Sequence, residues 1–298
     1  MAEDNNEGKK EMTVIDHLEE LRSRLVRGSI AVLVVAAVAL YFVKDIFHYI
    51  ILAPTRVDFI TYKVFCEFSI YYAELWAKWF PDSDPVNVLC VEKLEFRMIA
   101  TEPTEQFTKA ISTAIAVGII GAFPYVFWQL WKFIAPGLHI KERRTTRFIV
   151  LAVSVLFFVG CTFGYYVATP MAIGFLANYQ LAVYVENMFT IGSIISLLLM
   201  TVVGCGIMFQ LPVVVYFLTK IVLLTPVFMR KYRRHAIVVI FIISALLTPS
   251  PDVFSQVVVG VPILFLYELS IFISSAVNKA QIKQAAKDEA EYQASRRR

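Results

Sequence analysis

Charge is scarce in this chain. Lys, Arg, Asp and Glu make up 17% of its 298 residues, against about 25% in soluble domains. With 58% hydrophobic residues and a mean hydropathy of +0.65, that deficit excludes an ordinary soluble domain. Catalytic signatures are missing as well: there is no phosphate-binding glycine loop, no GxSxG elbow and no HExxH helix. The four histidines (His17, His48, His139, His235) stand apart, without metal-type spacing and without a neighbouring cysteine. The chain is therefore read as a non-enzyme that needs no cofactor or metal. The pI of about 8.8 is not matched by any aromatic-interleaved basic stretch, so nucleic acid is not an expected partner.

Long apolar runs are what the sequence has in abundance. A spanning helix needs ~20 apolar residues, and the chain offers Val26–Phe47, Lys109–Leu130, Phe148–Ala168, Ile191–Leu218, Ala236–Leu247 and Val253–Val277. The fifth run gives only ~20 Å of helix, so it is either a short span or half of a re-entrant hairpin with the sixth. Polar and charged residues precede the first run and no cleavage site follows it, so that run is expected to stay in the mature protein.

Basic residues orient these spans. Five lie in residues 1–27, five in 131–147 and five in 219–235, six follow Asn278, and the connections 169–190 and 248–252 have none. The positive-inside rule then predicts six spans with both termini cytoplasmic. The long connection 48–107 carries five bases against nine acids and crosses regardless of charge. Its aromatic, half-alternating stretches (Phe59–Phe65, Ser69–Phe80) and its Pro81–Pro85 turn suggest a small cap on the outer face. Cys66 and Cys90 both fall there, where an oxidising compartment favours a disulfide; Cys161 and Cys205 lie inside spans and read as small apolar residues. The organisation is thus a segment 1–25, a membrane domain 26–277 and a polar tail 278–298 attracted to anionic lipid.

Few polar groups interrupt the spans. Gln210, within Met208-Phe-Gln-Leu-Pro212, needs a partner at its depth, either inside the bundle or on another membrane helix. Glu268 is expected to reach interfacial water near the end of span six. Pro124, Pro212 and Pro262 each free a carbonyl within a span and are expected to bend it. A substrate site for a small-solute secondary transporter, the alternative reading, would need ionisable groups at the midplane and an internal repeat; neither is evident. On the cytoplasmic side, Glu20 and Arg24 sit at i,i+4, a favourable helical pair worth a few tenths of a kcal/mol. Glu142 is the only acid of 131–147. A carboxylate can accept a bidentate pair from a guanidinium, so these two acids could instead receive two arginines.

Three blocks carry a resemblance. His17-Leu-Glu-Glu-Leu-Arg-Ser-Arg-Leu25, Trp131-Lys-Phe-Ile-Ala-Pro-Gly-Leu138 with Lys141-Glu-Arg-Arg144, and Leu247-Thr-Pro-Ser-Pro-Asp-Val-Phe-Ser-Gln256 with Val261-Pro262 and Tyr267-Glu268 resemble, in that order, motifs of the TatC family. The resemblance implies an all-α polytopic membrane protein whose six transmembrane helices form a curved, glove-like wall. It further implies the receptor and core subunit of the twin-arginine translocase, exporting folded proteins across the bacterial inner membrane on the proton motive force. By position, Glu20 and Glu142 would recognise the paired arginines of a signal peptide, with Arg22 and Arg24 supporting that surface and Phe133 beside it. Pro54 matches the outer end of span one, and Asp252 and Gln256 the polar start of the last span. Partners would be TatA-type and TatB-type single-span proteins, membrane lipid and further copies of the chain. Two departures stand out: many members have glutamate where this chain has Gln210, and the first exported loop is longer here.

Overall fold

The computed structural model describes residues 14–77, 96–134, 143–179, 187–248 and 253–296. In chain order the helices are α1 (Val14–Tyr41), α2 (Val43–Ile46), α3 (Ile60–Ala77), α4 (Glu105–Ile134), α5 (Arg143–Phe163), α6 (Thr169–Asn178), α7 (Ile191–Met208), α8 (Leu211–Lys220), α9 (Pro226–Lys231), α10 (Arg233–Leu247) and α11 (Val253–Arg296). Two short strands, β1 (Arg97–Ile99) and β2 (Met188–Thr190), pair in parallel and tie together the two long connections that lead into α4 and α7. The architecture is an all-α polytopic membrane fold. Among the described residues, five helical segments are long and apolar enough to cross a bilayer; α10, with 15 residues, is the short sixth at ~22 Å.

Small residues set the helix spacing, as they do wherever lipid removes the hydrophobic drive for helix association. α1 and α4 run side by side, and a Cβ on Gly118 would lie 2.8 Å from the Val32 carbonyl oxygen and 2.9 Å from Ala36 Cβ. α5 meets α7 as closely: a Cβ on Gly160 would lie 2.7 Å from the Cys205 carbonyl oxygen. The core follows from these contacts. Ile51, Phe157, Ile195, Leu198 and Val202 form its centre, and the Phe123 and Phe157 rings stack across α4 and α5 at 3.6 Å between centroids.

The ends of the first and third spans differ from expectation. Span three does not stop at Ala168; a π-helical turn, Gly164–Ala168, carries it into α6 and on to Asn178. Span one ends in a similar π-helical turn, Phe47–Ile51, followed by a 3-10 turn at Ala53–Thr55. Each turn leads to a proline, and a proline removes the N–H that the carbonyl four residues earlier would use. Pro54 deprives Ile50, whose oxygen accepts from the Tyr165 hydroxyl at 2.8 Å. Pro170 deprives Tyr166, whose oxygen accepts from the Thr61 hydroxyl at 2.5 Å.

Tyr62 closes the arrangement from α3. It is 4% exposed, and its hydroxyl donates to the Pro54 carbonyl at 2.9 Å and the Pro170 carbonyl at 3.2 Å. Burial pushes that hydroxyl's pKa up from its ordinary value, which keeps it a donor. Within the connection 48–107, the aromatic residues from Ile60 to Ala77 fold as helix α3. Thr61, Tyr62 and Phe59 all lie near one end of α3, where Phe59 also stacks on Tyr166 at 5.6 Å.

Of the three prolines expected to bend spans, only Pro212 breaks one: it divides span four into α7 and α8 at Phe209-Gln210. Pro124 and Pro262 lie within continuous helices. Replacing Tyr62 with phenylalanine removes the shared donor from a buried site and is expected to cost on the order of 1–3 kcal/mol. Thermal unfolding in detergent should therefore give a lower Tm for Tyr62→Phe and an unchanged one for Tyr166→Phe, which keeps its ring contacts.

Candidate functional site

The charged segment before the first span is not a separate arm. Nothing between Val14 and Tyr41 breaks the helix, so Glu20, Arg22 and Arg24 occupy the first turns of the spanning helix itself. Arg24 Nε donates to Glu20 Oε1 at 3.0 Å, and Arg24 Nη2 donates to the same oxygen. The pair is only partly covered, with side-chain exposures of 18% for Arg24 and 26% for Glu20. It borders an open polar cavity of about 400 Å³ whose other walls are Glu19, Ser23 and Arg27. Arg22 is exposed on the same helix.

α4 brings Phe133 to this end. A Cβ on Gly28 of α1 would lie 3.8 Å from the Val126 side chain of α4, and the two helices run antiparallel. Phe133 therefore lies about two turns beyond that contact along α4, and Arg24 one turn beyond it along α1. Between them is an apolar cleft of about 320 Å³ that shares Arg24 with the polar cavity and is floored by Gln129 and Leu130. Phe133 is half-buried, and its neighbour Lys132 sets its ammonium 3.6 Å over the Trp128 ring. The structure thus brings Glu20, Arg24 and Phe133 to one end of the molecule. Glu142 lies outside the described residues.

The remaining expected positions fall elsewhere. Gln210 begins α8, where its Nε2 reaches the Val153 carbonyl of α5 at 3.4 Å while its buried Oε1 has no partner. Gln256 Nε2 donates to the Phe241 carbonyl at 2.9 Å and so fastens α11 to α10; Asp252 lies outside the described residues. Pro54 is buried in the Tyr62 junction, at the opposite end from Glu20. Cys66 is disulfide-bonded, whereas Cys161 and Cys205 are free and buried; Cys90 lies outside the described residues.

Three contacts escaped the sequence reading. Glu268 does not merely face interfacial water: Arg233 Nε donates to its Oε1 at 2.5 Å, joining α10 to α11. Glu105 caps α7, accepting from Gly192 N at 2.9 Å, as suits a carboxylate at a helix N-terminus. The Tyr62 junction is the third. Its only sequence signal is a pair of prolines, each at the end of an apolar run, and sequence alone does not say which hydroxyls will reach the freed carbonyls.

Among the described residues no group of His, Cys, Asp and Glu could hold a metal ion. The family model described as Sec-independent protein translocase protein (TatC) matches residues 16–262. The chain belongs to the TatC family. It is 35% identical to the Sec-independent protein translocase protein TatC of Blattabacterium sp. subsp. Periplaneta americana (strain BPLAN), over 91% of this chain and 98% of that protein. It is 33% identical to the corresponding TatC of Carboxydothermus hydrogenoformans, over 90% of this chain and 95% of that one. A crystal structure of the twin arginine translocase receptor TatC in DDM superposes with a TM-score of 0.65 at 32% identity, covering 87% of this chain and 99% of that one. The small-solute transporter alternative gains no support: the TatC relatives are translocase proteins, and α7 and α8 carry no charged residue before Lys220.

Two outcomes test these placements. Gln210→Met removes a poorly paired polar group and should leave Tm in detergent unchanged or slightly raised; a fall of several degrees would show that Gln210 holds the bundle together. Cys66 is expected to pair with Cys90. Alkylation of the denatured, unreduced protein should then label two thiols, and prior reduction should raise the count to the four cysteines of the chain.

Proposed function

We propose that this chain is the twin-arginine signal-peptide receptor and core subunit of a Tat translocase. In that role it exports folded proteins across the cytoplasmic membrane, driven by the proton motive force. The observation that carries the reading is Glu20, a carboxylate at the start of the first spanning helix that already holds a guanidinium beside an open polar cavity. Membership of the TatC family and the likeness to a protein named as a twin arginine translocase receptor support it.

The chemistry follows from donor geometry. A guanidinium offers a planar fork of N–H donors that fits a carboxylate bidentately, whereas an ammonium is a point charge. Glu20 would take one arginine of the signal peptide and Glu142 the other, with Arg22 and Arg24 shaping the surface and Phe133 offering an apolar contact beside it. The cleft between α1 and α4 continues from that surface towards the bilayer and suits the apolar residues that follow the arginines.

The distribution of basic residues supports cytoplasmic termini and hence a cytoplasmic receptor face, with α3 and the Tyr62 junction on the exported side. TatA-type and TatB-type single-span proteins are the expected membrane partners, alongside further copies of the chain and anionic lipid. Gln210 is a candidate docking point, since its unpartnered oxygen could accept a hydrogen bond from an adjoining helix.

Photo-crosslinking of a twin-arginine peptide to the protein tests the assignment. Glu20→Ala and Glu142→Ala should each weaken binding about tenfold or more, the scale of a lost hydrogen bond to a charged group, and replacing Arg-Arg in the peptide with Lys-Lys should weaken it comparably. Normal binding and export by both alanine variants would remove these residues from the receptor.

A further inference from the structure

We propose that Arg24 is a built-in competitor for Glu20, an internal guanidinium that occupies the carboxylate in the empty receptor and must leave when a ligand arginine binds. The inference rests on the reading of Glu20 as an arginine acceptor and concerns the regulation of that site.

Three observations carry it. First, both contacting nitrogens of Arg24, Nε and Nη2, converge on the single oxygen Oε1. A fork-to-fork pair needs both carboxylate oxygens, so an incoming guanidinium meets one free oxygen until Arg24 withdraws. Second, the competitor is one helical turn away on the same continuous helix, so Glu20 and Arg24 meet without any loop having to order. Third, the pair is open to solvent on the cavity side, and Arg24 also lines the apolar cleft between α1 and α4. A withdrawn Arg24 side chain can therefore lay its methylenes along apolar surface while its charge stays in water.

The size of the effect follows from the exposure. A partly exposed i,i+4 pair is weak enough to be displaced, and its competition lowers ligand affinity by a factor of up to about five. A guanidinium fork needs both carboxylate oxygens whereas an ammonium can use the one left free, so the penalty falls more heavily on arginine than on lysine. Arg24 therefore sets the affinity threshold of the site and narrows its preference for arginine over lysine.

Binding of fluorescently labelled synthetic peptides to the purified full-length protein in detergent tests this. Arg24→Gln is compared with Arg27→Gln, which removes the same charge from the same cavity without freeing Glu20. The expected result is tighter binding of the twin-arginine peptide by Arg24→Gln, by up to about fivefold relative to Arg27→Gln. The affinity for the Lys-Lys peptide should rise by less, so the ratio of Arg-Arg to Lys-Lys affinities should increase. In a Glu20→Gln background the difference between the two arginine variants should vanish, as a double-mutant cycle requires.

Arg24→Lys, which keeps the charge but loses the two-nitrogen contact, should fall between wild type and Arg24→Gln, and it serves if the glutamine variant proves unstable. Equal effects of Arg24→Gln and Arg27→Gln, or weaker binding by Arg24→Gln, would overturn the competitor role. An unchanged or lower Arg-Arg to Lys-Lys ratio in Arg24→Gln would mean that Arg24 does not contest the guanidinium fork, which also overturns it. Undiminished binding by Glu20→Gln with Arg24 intact would instead defeat the receptor reading on which the inference rests.

Discussion

A carbonyl oxygen that loses its helical donor at a packed helix end must find another one, and the α3 end of this protein is organised around two of them. Pro54 and Pro170 create the deficit, and hydroxyls from the neighbouring span and from the cap repair it. The repair is reciprocal: span three supplies Tyr165 to span one, and the cap supplies Thr61 to span three. Tyr62 then binds both prolines' own carbonyls. Sequence changes that look distant along the chain are therefore close in energetic terms, because each hydroxyl satisfies an acceptor belonging to another element.

That junction anchors one end of α1, and the other end carries Glu20. The helix between them is continuous to Tyr41 and lies tightly on α4 through Gly118. This pair of helices thus holds the Glu20 carboxylate at the same end of the molecule as Phe133. The opposite edge of the bundle is fastened by polar contacts: Arg233 to Glu268, Gln256 to the Phe241 carbonyl, and the Thr219 hydroxyl to Ser274 at 2.9 Å. α1 and α4 thus associate through close backbone approach, whereas α11 is held to α8 and α10 through hydrogen-bonded side chains.

Much of this was legible in the sequence. Hydropathy located every span, because a bilayer demands long apolar helices and little else. The length of Ala236–Leu247 correctly marked the short one. Three motif blocks in order carried the family resemblance, and the i,i+4 spacing in the first of them foretold the Glu20–Arg24 pair. Boundaries were less visible. The end of span three was misplaced by some ten residues because the connection 169–190 opens with Thr169-Pro170, which reads as a helix stop. A π-helical turn before the proline let the helix continue. Contacts such as Arg233–Glu268 were illegible for a different reason: they join residues 35 positions apart, and nothing in local pattern specifies which bases meet which acids.

The last helix illustrates how the membrane can shape a segment outside it. α11 runs for 44 residues, about 66 Å at 1.5 Å per residue, roughly twice the hydrocarbon thickness. Its polar second half has little to pack against, and a free peptide of that length would barely be helical in water, since starting a helix costs far more than extending one. Here the start has already been made within the bundle. The tail inherits a formed template and adds one hydrogen bond per residue, so it needs no separate folding event to be helical as far as Arg296.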